Sequence, residues 1–301
     1  MAMGGRSFSE YSLDDWKRLR PITEGIKTVR YHIVDSLYRR RAARSGDLAA
    51  IARTLRDRNV LFTIAFEDPE AIAWQAALVR HFVPSALHVI VDNSLDDAAA
   101  AGIERTCRDG GVAYLRTPHN PWPAPSRSHG IALNWVWHNL VRPGRPRAFG
   151  FLDDDLFPTA PDDPFEPLSR QDVYGFVRHG MQAGSGRWFL WAGFCTIRFD
   201  KVQSLALDFG QDWFLGLDTG GGNWRSLYRH LDLAALEQAP AREVPYRDGV
   251  ETRQGPFQWI GTWLHEVGQM GQPELMADKR RVLSTLLAPP LEAAGRPRGG
   301  R

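Results

Sequence analysis

The 301-residue chain has only two cysteines, Cys107 and Cys195, and they form no CxxC pair. That excludes a disulfide-stapled scaffold and a cysteine-ligated zinc site, and it suits a reducing compartment. Long apolar runs are missing too. The longest, such as LFTIAF (61–66), reach about six residues, where a bilayer span needs about 20. The start, MAMGGRSFSEYSLDDW, has no apolar stretch of the signal-peptide kind. Nor does one sign of charge dominate: 37 Lys/Arg face 35 Asp/Glu, unlike a chain that binds nucleic acid through a basic face. These absences predict a soluble, cytoplasmic protein with no nucleic-acid partner. What is present, 43% apolar and 24% charged residues, is ordinary for a globular chain with one large domain or two small ones.

The charge is unevenly spread. Residues 1–60 hold 13 Lys/Arg against 7 Asp/Glu, a net of +6, and leave the rest at −4. Ile22, Ile26, Val29, Ile33 and Leu37 recur at helical spacing, so this basic extension reads as a helix starting at Pro21 and Thr23 and ending at Ser45-Gly46. Two readings follow. The stripe packs on the following domain with the arginines in water, or residues 12–45 touch an anionic membrane, peripherally at its inner face. The first is preferred. A short helix with Leu48, Ile51 and Leu55 completes the extension.

From residue 61 strand and helix patterns alternate. LFTIAF is followed by a helix starting at Asp68-Pro69-Glu70, which supplies a cap, a first-turn proline and an acid. LHVIVD (87–92) is a strand, and Ser94 caps a helix that Gly110-Gly111 ends. VAYLR (112–116), a proline-rich loop, the helix 126–141 and the strand AFGFLD (148–153) complete the series. This rhythm predicts an α/β fold with a mixed, mostly parallel sheet and flanking helices, and a ligand at the carboxyl ends of its strands. Beyond Asp155 the pattern loosens: RWFLWAGFCTIRF (187–199) and LALDFGQDWFLGL (205–217) are strand-like, and GLDTGGGNW runs into a helix WRSLYRHL. The domain boundaries expected are 1–60 for the extension, 61–275 for the main domain with halves 61–158 and 159–275, and 276–301 for a tail, disordered from Pro289.

The sharpest motif is FGFLDDDLFP (149–158), a buried strand ending in three aspartates. Side chains alternate along a strand, so Asp153 and Asp155 point the same way. Two carboxylates placed so repel each other unless a cation lies between, and Mg²⁺ or Mn²⁺ suits that position. An acidic loop beyond a strand gives the same pattern. With Asp92 at the end of HVIVDNS and the segment Asn120 to Asn134 before the aspartates, residues 61–158 resemble the nucleotide-sugar-binding half of GT-A-fold glycosyltransferases, closest to the large inverting family of bacterial sugar transferases. The resemblance implies a D-x-D metal site at Asp153 and Asp155, and contacts to a nucleotide-diphosphate sugar, UDP-linked by preference, from Glu67, Asp92, Asn120, Ser128, Asp153 and Asp154. It also makes Asp218 the candidate catalytic base and His265, in LHEVG, a third metal ligand. LHEVG is not the zinc-protease pattern, since position 269 is Gln.

Each assignment has a plainer counterpart: Asp218 as a turn residue, His265 as a structural histidine. The chain has 11 tryptophans, of which Trp191, Trp224 and Trp259 are candidates to stack on a carbohydrate or glycoconjugate acceptor, with core packing the ordinary role of each. Two rival functions remain. A nucleotidyltransferase would carry a Gly-rich, Arg-containing signature where this chain reads EDPEAIAW. A non-catalytic carbohydrate-binding or scaffold protein would keep the fold without needing the aspartates.

Overall fold

The computed structural model of the chain describes residues 11–180, 186–248, 251–267 and 273–295. Three helices come first: α1 (Leu13–Lys17), α2 (Arg20–Arg39) and α3 (Leu48–Thr54). Then β1 (Asn59–Ala65), α4 (Pro69–Phe82), β2 (Leu87–Asp92), α5 (Asp97–Gly110) and β3 (Ala113–Arg116) alternate, before α6 (Pro125–Val136). A π-helical turn over Trp137–Val141 carries α6 into α7 (Arg142–Gly144). The remainder is β4 (Ala148–Asp153), β5 (Leu156–Pro158), β6 (Val173–His179), β7 (Trp188–Arg198), α8 (Phe199–Val202), β8 (Ala241–Asp248), β9 (Glu251–Ile260), β10 (Trp263–Glu266) and α9 (Pro273–Gly295).

Six strands form one sheet in the order β3-β2-β1-β4-β7-β6. The first four are parallel, and β7 runs antiparallel to both β4 and β6. A second, antiparallel sheet has the order β5-β10-β9-β8. The expected α/β class and mixed, mostly parallel sheet are therefore present. Strand periodicity explains the layers. On β1, Val60, Phe62 and Ile64 face a core shared with α6 and α2, while Leu61 faces a second core with α4, α9 and the small sheet. Both faces are covered, which is why β1 reads as a continuous apolar run.

Several local expectations change. Asp96, not Ser94, caps α5, accepting from the Ala98 and Ala99 N–H groups, and the Ser94 hydroxyl instead accepts from the Glu67 N–H at 2.8 Å. The segment WRSLYRHL is not a helix. One 3-10 turn, Gly221–Asn223, precedes it and another, Tyr228–His230, lies within it, because Trp224, Leu227 and Tyr228 turn into the core instead of lining one stripe. LALDFGQDWFLGL forms no strand beyond an isolated bridge between Asp212 and Leu217. The helix α9 continues through Pro289 and Pro290 as far as Gly295, anchored by buried Leu283 and Leu287, where composition predicts irregular chain.

The largest difference concerns α2. It does pack on the domain, but through its polar side. Tyr31, Asp35 and Tyr38 are buried, whereas Ile22, Ile26, Val29, Ile33 and Leu37 are exposed. Hydrogen bonds explain this inversion. The Asn134 amide of α6 donates to Asp35 at 3.2 Å and to Asp208 at 2.8 Å, Tyr31 donates to Asp208 at 3.3 Å, and Tyr38 donates to the Pro118 carbonyl at 3.0 Å. Burial, then the neighbouring Asp208 carboxylate, raise the Asp35 pKa to about 7 against the opposing pull of Arg39 and Asn134. A carboxyl so raised stabilises the fold below its unfolded value of 3.8, and that contribution is lost as pH rises through about 7. Asp35→Asn is thus expected to flatten the decline in stability between pH 4 and pH 8, by about 1.4 kcal/mol for each pH unit over which the wild-type titration is displaced. Thermal unfolding of both proteins across that range checks it, and parallel curves would show that Asp35 does not titrate there.

Candidate metal centre

The centre lies where the carboxyl ends of β1 and β4 meet, with Ile64 paired to Asp153. The three aspartates occupy the end of β4 and the turn into β5. A buried glutamine on α4 fixes that turn: the Gln75 amide donates to the Asp153 and Leu156 carbonyls, both at 2.7 Å, and accepts from the Thr63 hydroxyl at 2.6 Å. From the other side, β10 pairs His265 with Leu156 of β5, and the Glu266 N–H donates to the Asp155 carbonyl at 2.9 Å. Two chain segments more than 100 residues apart are thereby locked around one point.

Asp153, Asp155 and His265 each bring one ligand atom within 4.8 Å of the others. Asp153 Oδ1 and Asp155 Oδ1 are buried without a hydrogen-bond partner. Their nearest companions are imidazoles: His129 Nε2 lies 3.4 Å from Asp153 Oδ1, and His265 Nε2 lies 3.5 Å from Asp155 Oδ1. Neither ring supplies positive charge at neutral pH. Burial lowers the His129 pKa to about 4 and the His265 pKa to about 3. The carboxyls move the opposite way: burial, then Asp218, raise Asp153 to about 7, and burial, then Asp153 and Asp154, push Asp155 well above its ordinary value. Orphaned buried carboxylate oxygens beside a neutral imidazole are a donor set that fits a divalent cation. The imidazole nitrogen suits Mn²⁺ better than Mg²⁺, which prefers oxygen and water.

The expected nucleotide contacts are less uniform. Asp154 turns away from the pair, its Oδ2 accepting from the Phe66 N–H at 2.7 Å. Burial, then Asp153, raise its pKa to about 8. Asp92 is fully buried with both oxygens engaged, one by the Ser94 N–H at 2.8 Å and one by the Tyr114 hydroxyl at 2.7 Å. Glu67 is exposed in a left-handed conformation (φ 55°) just after β1, and its carboxylate accepts from the Leu95 and Asp96 N–H groups at 3.3 and 3.2 Å. Asn120 and Ser128 do come together: the Asn120 amide donates to the Ser128 carbonyl at 2.9 Å. Asn93, which carries no expectation from the sequence, joins them, its amide donating to Ser128 Oγ at 2.9 Å and its oxygen accepting from the Asn120 amide at 3.0 Å. Asn93 sits in the same HVIVDNS segment that drew attention to Asp92.

Asp218 stands beside the centre, close enough to raise the Asp153 pKa. Its Oδ1 accepts from Gln211 Nε2 at 2.7 Å and from the Thr219 N–H at 2.8 Å, and its Oδ2 lies 3.7 Å from Arg178 Nη1. Arg178, on β6, also lowers the Asp153 and His265 pKa values. Sequence gave no signal for it, because strand pairing alone brings residue 178 here. The glycines after Asp218 serve the fold. A Cβ on Gly220 (φ 98°) would sit 2.5 Å from the Leu190 carbonyl oxygen, and one on Gly222 would sit 2.6 Å from that of Asp208. They let the loop press on the backbone of β7 and of residues 208–210. Trp191 reaches the centre, its ring 4.6 Å from that of His265. Trp224 instead packs on the main core, and Trp259 lies under Arg242 at 5.4 Å.

No family model matches the chain, and no curated protein sequence is significantly similar to it. Solved structures are. One is a galactosyltransferase, LgtC, in complex with donor and acceptor sugar analogues: 15% identical, TM-score 0.33, covering 48% of this chain and 59% of that one. Another is the mannosyltransferase PcManGT from Pyrobaculum calidifontis in complex with GDP-Man and Mn²⁺: 12% identical, TM-score 0.35, covering 60% and 59%. A third is glucosyl-3-phosphoglycerate synthase from Mycobacterium tuberculosis with Mn²⁺, UDP and glucosyl-3-phosphoglycerate: 17% identical, TM-score 0.41, covering 86% and 88%. The chain thus spans 59% of the length of each of the first two. At this level of identity the chemistry of the present chain rests on its own residues.

Proposed function

We propose that the chain is a metal-dependent glycosyltransferase that moves a sugar from a nucleotide-diphosphate sugar, UDP-linked by preference, to the hydroxyl of a carbohydrate or glycoconjugate acceptor. The observation that carries this is the convergence of Asp153, Asp155 and His265 at the carboxyl end of the central strands, with two carboxylate oxygens left unpartnered. Asp153, Asp155 and His265 would hold a Mn²⁺ ion, which would supply Lewis acidity to neutralise charge on the departing diphosphate. Gln75 keeps the Asp153–Leu156 turn in place. Asn93, Asn120 and Ser128 shape the polar wall at the ends of β2 and β3, on the nucleotide side.

Asp218 receives the acceptor's proton on Oδ2 as the hydroxyl oxygen bonds to the anomeric carbon and the bond to the diphosphate breaks. A single displacement of this kind inverts the anomeric configuration. Arg178 lies 3.7 Å from Asp218 Oδ2 and also lowers the Asp153 pKa, a positive charge beside these carboxylates. Support for Asp218 lies in its geometry: two donors fix Oδ1, and Oδ2 lies 3.7 Å from Arg178.

The test is slow hydrolysis of a panel of nucleotide sugars by purified protein without acceptor. Release of nucleoside diphosphate with Mn²⁺, abolished by EDTA, is expected for one donor and names it. Affinity for carbohydrate with no turnover of any donor would replace the enzyme with a binding protein.

A further inference from the structure

The helix α2 carries an unusual burden: its apolar stripe points outward. Together with α1 it presents Leu13, Trp16, Leu19, Ile22, Ile26, Val29, Ile33 and Leu37, each between 41% and 83% exposed. The 20-residue helix makes this ridge about 30 Å long. Trp16, Pro21, Ile22, Ile26, Val29 and Ile33 line a shallow groove along it. The helix is fixed in this orientation, since the hydrogen bonds of Tyr31, Asp35 and Tyr38 hold its opposite side to the domain. A contiguous exposed ridge of this size marks an interaction surface.

Charge decides the occupant. Residues 12–45 hold nine Lys/Arg against four Asp/Glu. The acids are largely consumed within the protein: Arg18 pairs with Asp14, Arg20 with Asp15 and Arg39 with Asp35. Lys17, Lys27, Arg30, Arg40 and Arg41 are exposed and, among the described residues, pair with no acid. Pairing with a second copy would press two such cationic strips together. An anionic bilayer instead offers hydrocarbon to the ridge and negative headgroups to its flanks. We infer that α1 and α2 dock the protein in the plane of an anionic membrane surface, with the ridge in the headgroup layer and Lys17, Lys27, Arg30, Arg40 and Arg41 on lipid phosphates. No helix among the described residues is long and apolar enough to cross a membrane, and in-plane docking needs none.

Flotation of the full chain with vesicles tests this independently of catalysis. Wild type is expected to float with phosphatidylcholine vesicles containing phosphatidylglycerol at low salt, and to detach at high salt as headgroup contacts are screened. Ile26→Ser/Ile33→Ser leaves the charge unchanged and should lower partitioning roughly tenfold or more per side chain. Lys27→Gln/Arg40→Gln/Arg41→Gln should lower it on the order of 100-fold. All five positions are exposed, and thermal unfolding verifies that the variants fold. Failure of folded wild type to float at low salt overturns the inference. Equal flotation with pure phosphatidylcholine overturns it as an anionic site. A dimer in sedimentation velocity that Ile26→Ser/Ile33→Ser dissolves would give the ridge to a second copy instead.

Discussion

Asp155→Ala is expected to abolish the dependence of UDP binding on Mn²⁺. In wild type, calorimetric titration should give markedly tighter UDP binding with Mn²⁺ than with EDTA. In the variant the two should converge. Loss of an outer contact to a metal ligand costs 10- to 100-fold in metal affinity, so loss of a ligand itself should cost at least about 100-fold. A second measurement separates this role from a structural one. Asp155 Oδ1 is buried without a hydrogen-bond partner, and burial with the adjacent carboxylates disfavours its ionised form. Removing such a group relieves repulsion and desolvation, so without metal the variant should unfold at the same temperature as wild type or higher. The signs are opposite: metal affinity falls while metal-free stability holds or rises. A structural aspartate would lower stability with and without metal. Equal UDP affinity with and without EDTA in the wild type would remove the metal from the proposal altogether.

The parts of this fold legible in the sequence are those where one physical signal dominates. The strands β1, β2 and β4 are apolar runs buried on both faces, and the Asp68-Pro69-Glu70 helix start carries its own cap, the Asp68 carboxylate accepting from the Ala71 N–H at 2.9 Å. The acidic strand end was legible because three charges after a buried strand need an explanation. Its supports were not. Gln75 and Arg178 reach the centre only through tertiary packing, and neither belongs to a local pattern. The stripe of α2 shows the opposite failure. Its spacing predicts a helix, and a helix is present, but periodicity carries no information about which face is covered. A few side-chain hydrogen bonds from Tyr31, Asp35 and Tyr38 outweighed the burial of five aliphatic residues. Asp92 reads from its position as a ligand-facing carboxylate, yet Ser94 and Tyr114 occupy both oxygens while its neighbour Asn93 links the loops. A residue's distance from a strand end is legible; the partner it selects is not.

Asp218→Asn is expected to cut sugar transfer by about 10² to 10⁴, or roughly 3 to 5 kcal/mol of barrier, the usual contribution of a general base. The surroundings of this side chain make the substitution a clean probe. Oδ1 takes the hydrogen bonds from Gln211 and the Thr219 N–H, and an asparagine oxygen accepts both equally well. Only Oδ2, 3.7 Å from Arg178, loses its charge and its capacity to take a proton. Where the sequence predicts a helix after Asn223, a 3-10 turn over Gly221–Asn223 is present. The ion pair with the Arg178 guanidinium disappears with the carboxylate. Nucleotide-sugar affinity should stay within about threefold, under 1 kcal/mol, because the base meets the acceptor and not the diphosphate. That split, transfer lost and donor binding kept, is what a turn-forming aspartate would not produce: its loss would lower stability and both activities together. Near-normal turnover by a folded Asp218→Asn protein would exclude the residue as base. Asp212, whose carboxylate is already engaged by the Leu215 N–H at 3.1 Å, and Glu243, exposed on β8, would be next to substitute. Retention of normal rates in those variants as well would leave a retaining mechanism, in which the donor's own leaving oxygen guides the acceptor to the same face of the sugar.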